Sequence, residues 1–267
     1  MSARFLEGMV EEVERELERG FYDRIAPGEA PTPLPSLRRR LLWQPRPRWV
    51  LELKHASPGH HRSALPSVTP SRFLEMAQDP HTVGLSVIPQ PYSFGGSLEE
   101  FAAVSRSTSL PVIFKDFVVD PRQVGCARRL GAAAVLLLAR LEHVGALRPS
   151  LQGLVTEVHR AGMEALVEVH EPADVPLALR CGPDILGVNA RDLSTLELSR
   201  ERACETLRAA RDQGVPLLGM SGVAGPSDLR TYEGAGAWGA LVGTSFILAP
   251  DPRAFLEGLA TAPGAES

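Results

Sequence analysis

The chain has 267 residues, 44% of them hydrophobic, and a formal net charge of -4 at pH 7. That length suits one α/β barrel, and the mildly acidic balance argues against a nucleic-acid partner, which calls for a basic face. No stretch approaches the 18 apolar residues of a membrane span, so no membrane association is expected.

The opening MSARFLEGMVEEVERELERG lacks an apolar run flanked by positive charge, and is not read as a signal peptide. Cys126, Cys181 and Cys204 lie far apart with no CxxC, and read as free thiols of a reducing, cytoplasmic compartment. Phe5, Leu6, Met9, Val10, Val13 and Leu17 keep helical spacing with glutamates on the other face, predicting a helix over 5–19. The Pro-rich PGEAPTPLPS (27–36) is read as irregular, with a short helix in SLRRRLLW after it.

Short apolar runs then alternate with helical stretches. The runs are WVLEL (49–53), GLSVI (84–88), PVIF (111–114), AAVLLL (133–138), EALVEV (164–169), DILGV (184–188), PLLGM (216–220) and GALVG (239–243). Continuous apolar runs fit strands buried on both faces, and PRQVGCARRLG (121–131) and LQGLVTEVHRAG (151–162) are long enough for crossover helices. Eight such units imply an α/β chain: a (β/α)8 TIM barrel over 47–262, with an N-terminal helical extension over 1–46. An open doubly wound sheet is the alternative, disfavoured because no GxGxxG follows the first strand.

Barrel chemistry sits at the C-terminal strand ends, and these ends carry unusual residues. Lys54 and Lys115 are the only lysines; the other 26 of 28 cationic side chains are arginine. Arginine serves a surface as well as lysine but stays protonated at any working pH, so two retained lysines point to chemistry rather than to chance. Glu52 lies two residues from Lys54, on the same strand face. Run three ends in Lys115-Asp116, run five in Glu168 and His170, run six in Asn189 and Arg191, run seven in Met220-Ser221-Gly222, and run eight in Gly243-Thr244. Ser-Gly and Gly-Thr after the last two strands are where barrels bind phosphate. Asp116 is expected to pair with a cation or cap a turn, and His170 to satisfy a local hydrogen bond. His55, His60 and His61 are read as loop residues near a substrate rather than as a metal site.

ELKHASP, GLSVIPQPYSFGGS, PVIFKDFVVDPRQVGCARRLGAAAVLLL, EALVEVH, GVNARDLSTLEL and LLGMSGV…GALVGTSFI, in order from 49 to 248, resemble the indole-3-glycerol phosphate synthase family. The resemblance implies ring closure of 1-(2-carboxyphenylamino)-1-deoxyribulose 5-phosphate with loss of CO2 and water, with no metal or organic cofactor. It implies Lys115 as general acid, Glu168 as the acid/base opposite, Lys54 on the substrate carboxylate and Glu52 as its ion-pair partner. Asn189 would orient sugar hydroxyls, Arg191 lie near the carboxylate, and Phe94 and Phe117 flank the aromatic ring. Ser221, Gly222, Gly243 and Thr244 would hold the phosphate, with Ser57 and Met220 also in the substrate site. The partner implied is a small phosphorylated molecule, with a monomer and a homodimer equally compatible.

The chain departs from the family pattern at four places. Met220 stands where the family has glutamate, Pro89-Gln90 where it has Thr-Glu, Ala190 where it has a second Asn, and the first loop reads SPGHHRSALPSV. Two alternatives therefore stay open at this point. One is a paralogue acting on a related arylamino-deoxyribulose phosphate or at a different step, in specialised metabolism. The other is a non-catalytic barrel serving as a partner protein, against which the two retained lysines and Glu168 weigh.

Overall fold

A computed structural model describes residues 4–25, 34–57 and 63–261. Eight parallel strands close into a barrel: β1 (Trp49–Leu53), β2 (Thr82–Val87), β3 (Val112–Phe114), β4 (Ala134–Leu138), β5 (Glu164–Val169), β6 (Ile185–Asn189), β7 (Leu217–Met220) and β8 (Gly239–Val242). Each strand pairs with the next in sequence, and β8 returns to β1 with Trp49 beside Ala240 and Leu51 beside Val242. The predicted apolar runs are these strands, shifted by at most two residues at an end. Every residue of β1, β4 and β6 is buried, as expected of strands covered by the barrel interior on one side and by helices on the other.

Polar residues cap most of the helices around the barrel. Thr69, Ser97, Asp120, Ser150, Ser199 and Asp251 each cap one, their side-chain oxygens accepting a backbone N–H of the first turn. Such a cap contributes about 1 kcal/mol. The predicted helices at 121–131 and 151–162 form as Pro121–Arg129 and Leu151–Arg160.

The N-terminal segment covers both ends of the barrel. Helix α1 (Arg4–Glu18) is amphipathic, burying Leu6, Met9, Val13 and Leu17, and lies on the C-terminal face. There Glu12 accepts from Gln90 Nε2 (2.9 Å) and Ser93 Oγ (3.0 Å). Helix α2 (Leu37–Trp43) closes the opposite end. Leu37 and Leu41 are fully buried against the N-terminal halves of β2 and β8: a Cβ on Gly84 would lie 2.8 Å from Leu37, one on Gly239 3.2 Å from Leu41. Each such leucine contributes on the order of 2 kcal/mol by burial. Glu164, the first residue of β5, accepts from Ser36 Oγ and Arg38 N, fixing α2 in place. Of the Pro-rich stretch, 27–33 lie outside the described residues.

Candidate active site

The C-terminal strand ends converge on a cavity of about 320 Å³. Glu52, Lys54, Phe94, Lys115, Phe117, Glu168, Asn189, Arg191, Met220, Ser221, Gly222, Gly243 and Thr244 all line it. Ser57 lies in a two-residue strand paired with Ser63–Ala64, and its side chain falls outside the described residues, as do His60 and His61.

One carboxylate organises the two lysines. Glu52, at the inner end of β1, contacts Lys54 Nζ through Oε1 at 2.8 Å and Lys115 Nζ through Oε2 at 3.1 Å. Its exposure is only 1%. Burial alone would raise its pKa, but the ammoniums of Lys115 and Lys54 outweigh burial and hold the carboxyl at about 2. Lys115 responds in kind: burial opposes its charge, yet Glu52 and then Glu168 lift its pKa above the ordinary lysine value. The sequence paired Glu52 with Lys54; the geometry extends that pair to Lys115. Gly243 makes room for the cluster, since a Cβ there would sit 2.8 Å from Glu52 Oε1 and 3.2 Å from Lys54 Nζ.

Glu168 stands apart from this bridge. Its Oε1 accepts from Asn189 Nδ2 at 3.0 Å and lies 3.2 Å from His170 Nε2. Burial pushes its carboxyl up, and the contacts with His170, the charge of Lys115 and the Asn189 hydrogen bond pull it down further, leaving it below the ordinary glutamate value. Asn189 in turn accepts from Arg191 N through Oδ1 (3.0 Å), and Arg191 Nη1 donates to Leu196 O (2.8 Å), so β6 and its loop hold both side chains at the rim.

The β7 and β8 ends build the other side. Met220 is 1% exposed, and a Cβ on Gly187 of β6 would lie 2.6 Å from its Sδ, so the thioether fills the space that glycine leaves. Ser221 and Gly222 follow at φ 65° and 75°, a left-handed turn that is strained at the serine and free at the glycine. Tyr232 Oη donates to Ser221 O (2.8 Å). Arg200 Nη2 donates to Gly222 O (3.0 Å) and contacts Asp228 at 3.2 Å, and Asp228 accepts from Ala224 N. Thr244 opens a four-residue helix (Thr244–Ile247).

Phe94, Phe117 and Phe5 form one aromatic wall, with centroids 6.4 Å apart for Phe94–Phe117 and 6.5 Å for Phe5–Phe117. Phe5 and Arg200 were missed as cavity residues. The helical spacing of Phe5 was visible in sequence; that its helix crosses the mouth was not. Asp116 differs from expectation: its partner is a phenol rather than a cation, Tyr22 Oη donating at 2.7 Å while Phe117 N donates at 2.8 Å. Burial raises the pKa of both Asp116 and Tyr22. His55 turns away from the cavity to Glu100, 2.7 Å away.

A family model described as indole-3-glycerol phosphate synthase matches residues 6–259. The chain is 39% identical over 252 residues to the indole-3-glycerol phosphate synthase of Parafrankia sp. (strain EAN1pec), covering 89% of this chain and 91% of that one. It is 39% identical over 215 residues to the enzyme of the same name from Mycobacterium sp. (strain KMS), covering 80% and 76%. Among solved structures it is similar to 3-hexulose-6-phosphate synthase from Salmonella typhimurium (TM-score 0.56, 15% identical, 80% of this chain and 97% of that one). It is also similar to N-acetylmannosamine-6-phosphate 2-epimerase from Clostridium perfringens (TM-score 0.55, 15% identical, 79% and 90%). At that identity the two structures speak to the barrel fold alone.

Proposed function

Because the chain belongs to the indole-3-glycerol phosphate synthase family and its reaction is that family's, we propose a division of labour among the residues of its cavity. The reaction is ring closure of 1-(2-carboxyphenylamino)-1-deoxyribulose 5-phosphate with loss of CO2 and water, which makes the protein a carboxy-lyase of tryptophan biosynthesis. Lys115 protonates the ribulose carbonyl as the aryl ring carbon attacks it. Lys54 holds the substrate carboxylate and assists the later dehydration. Glu168, opposite, takes up a proton as water leaves. Arg191 supports the carboxylate, and Asn189 orients Glu168 and the sugar hydroxyls. The observation that carries this reading is the Glu52 bridge, one buried carboxylate holding two ammoniums at 2.8 and 3.1 Å beside a second buried carboxylate. Two separated acid/base groups suit a reaction of two proton transfers on an anionic substrate.

The phosphate lies against Ser221, Gly222, Gly243 and Thr244. Its support is the left-handed turn at Ser221-Gly222 and the helix opening at Thr244, whose first N–H groups have no partner within the helix. Phe94, Phe117 and Phe5 take the aryl ring. Residues 47–262 form the catalytic unit, with 1–46 as its cap. Among the described residues no helix is long and apolar enough to cross a membrane. We place the enzyme in the cytoplasm as a monomer or homodimer, its three cysteines being buried free thiols; sedimentation decides between the two states.

Turnover of the substrate, followed by indole fluorescence and product mass, tests the assignment. Glu168→Gln is expected to reduce kcat by about 10² while leaving KM within a few-fold. Full turnover in that variant removes Glu168 from the chemistry.

Met220 favours a second reading, confined to specificity. An apolar side chain at the β7 end offers no acceptor to a sugar hydroxyl, whereas the family glutamate does. Met220→Glu is expected to shift discrimination toward the hydroxylated substrate, over an analogue lacking one ribulose hydroxyl, by about tenfold or more in kcat/KM. Burying a third carboxylate beside Glu168 also costs about 1–3 kcal/mol, read as a lower Tm. An unchanged ratio takes Met220 out of specificity.

A further inference from the structure

His170 stands beside the site with no part in the mechanism above. It follows β5, is 1% exposed, and neither ring nitrogen has a hydrogen-bond partner among the described residues. Its backbone N–H donates to Asp174 Oδ2 (3.1 Å), which fixes where the side chain starts. Asp174 Oδ1 is taken by His143 Nε2 at 3.1 Å, so that carboxylate is engaged away from the His170 ring. The ring instead points at Glu168: Nε2 lies 3.2 Å from Oε1, close enough for contact but off hydrogen-bond alignment. The same oxygen already accepts from Asn189 Nδ2 at 3.0 Å.

A buried imidazole with both nitrogens unpaired is unfavourable, and hydrogen bonds at catalytic groups often tighten only in the substrate complex. A small rotation of the ring aligns Nε2–H on Glu168. We infer that His170 is a positioning residue: as the Nε2–H tautomer it fixes the Glu168 carboxylate together with Asn189, committing Oε1 and leaving Oε2 to the substrate. This rests on Glu168 acting as the base. The charged and titratable groups around the pair are Lys115 of the β3 end, which acts on Glu168, and Asp174 with His143 beyond it, on the far side of His170.

The test compares His170→Leu, which removes the donor, with His170→Gln, whose amide can reach the same oxygen. His170→Leu is expected to lower kcat about tenfold with KM within twofold. It also moves the acid limb of kcat to higher pH, because the carboxylate loses a donor that favours its ionised form. His170→Gln restores most of kcat and returns the limb. Equal losses in both variants with an unmoved limb overturn the proposal and leave His170 as packing. ¹⁵N-histidine spectra of the intact enzyme read the contact without turnover. In the wild type a proton is expected on His170 Nε2, facing Glu168, and in Glu168→Gln it is expected to be shared between Nε2 and Nδ1. A wild-type proton on Nδ1 overturns the proposal whatever the rates. If Glu168→Gln keeps full turnover while the spectral signature holds, the general-base reading fails and the His170–Glu168 pairing stands.

Discussion

Lys115→Arg is expected to bind the substrate within a few-fold of wild type and to lose about 10²–10⁴ in kcat. Arginine keeps the positive charge and can still pair with Glu52, so the anionic substrate still meets two cations. What it loses is acid strength: a guanidinium is a far weaker acid than a lysine ammonium and so a much poorer proton donor in the transition state. Lys115 remains the stronger acid, although Glu52 and Glu168 raise its pKa. The alkoxide that forms when the aryl carbon attacks the ribulose carbonyl is far more basic than an amine. A lysine held firmly as ammonium therefore still transfers its proton downhill. The same shift sets the pH profile: the alkaline limb of kcat is expected above the ordinary lysine value of 10.5, so rate should be flat through pH 9. Single-turnover kinetics with the Arg variant separate binding from chemistry. Full activity in Lys115→Arg ends the general-acid assignment.

The barrel and much of the candidate site's lining were legible in the sequence for a physical reason. Strands buried on both faces leave continuous apolar runs, and barrel chemistry sits where those runs end. Lys54 and Lys115 stood out because the rest of the chain uses arginine, and Glu168 and Asn189 because charge or amide closes an otherwise apolar strand. What stayed hidden was set by distance in sequence. The Glu52–Lys115 contact spans two barrel strands, and the periodicity of a strand says which face a side chain takes but not which neighbour it meets across the barrel. Tyr22 reaches Asp116 from the extension, across 94 residues, and Phe5 reaches Phe117 in the same way. Helical spacing predicted α1 without saying that its apolar face closes the mouth of the cavity. His170 reads in sequence as a local hydrogen-bonding residue; its ring lies unpaired against Glu168 because the β5 end turns it inward.

Glu52→Gln is expected to damage both function and fold. Glu52 binds no substrate atom in the proposed mechanism; it holds Lys54 and Lys115 at fixed positions and balances their charge. An amide keeps the shape but leaves two ammoniums side by side in a buried setting, with one donor group now turned toward them. Removing one member of a buried ion cluster typically costs about 3–5 kcal/mol. That corresponds to a Tm lower by roughly 10 °C for a chain of this size. Repulsion between the lysines also misplaces the acid, so kcat is expected to fall by about 10² or more. Acid titration supplies a readout specific to the carboxylate. In the fold its pKa is about 2, against an ordinary 4.5, so between those values the unfolded chain binds a proton that the folded chain does not. Stability from this group is therefore fully present above pH 4.5 and is lost as pH falls toward 2, an amount of about 3 kcal/mol. Denaturant unfolding at stepped pH should show a shallower decline over that window in Glu52→Gln than in wild type. Parallel curves would mean that the two ammoniums are not what holds the Glu52 carboxyl down.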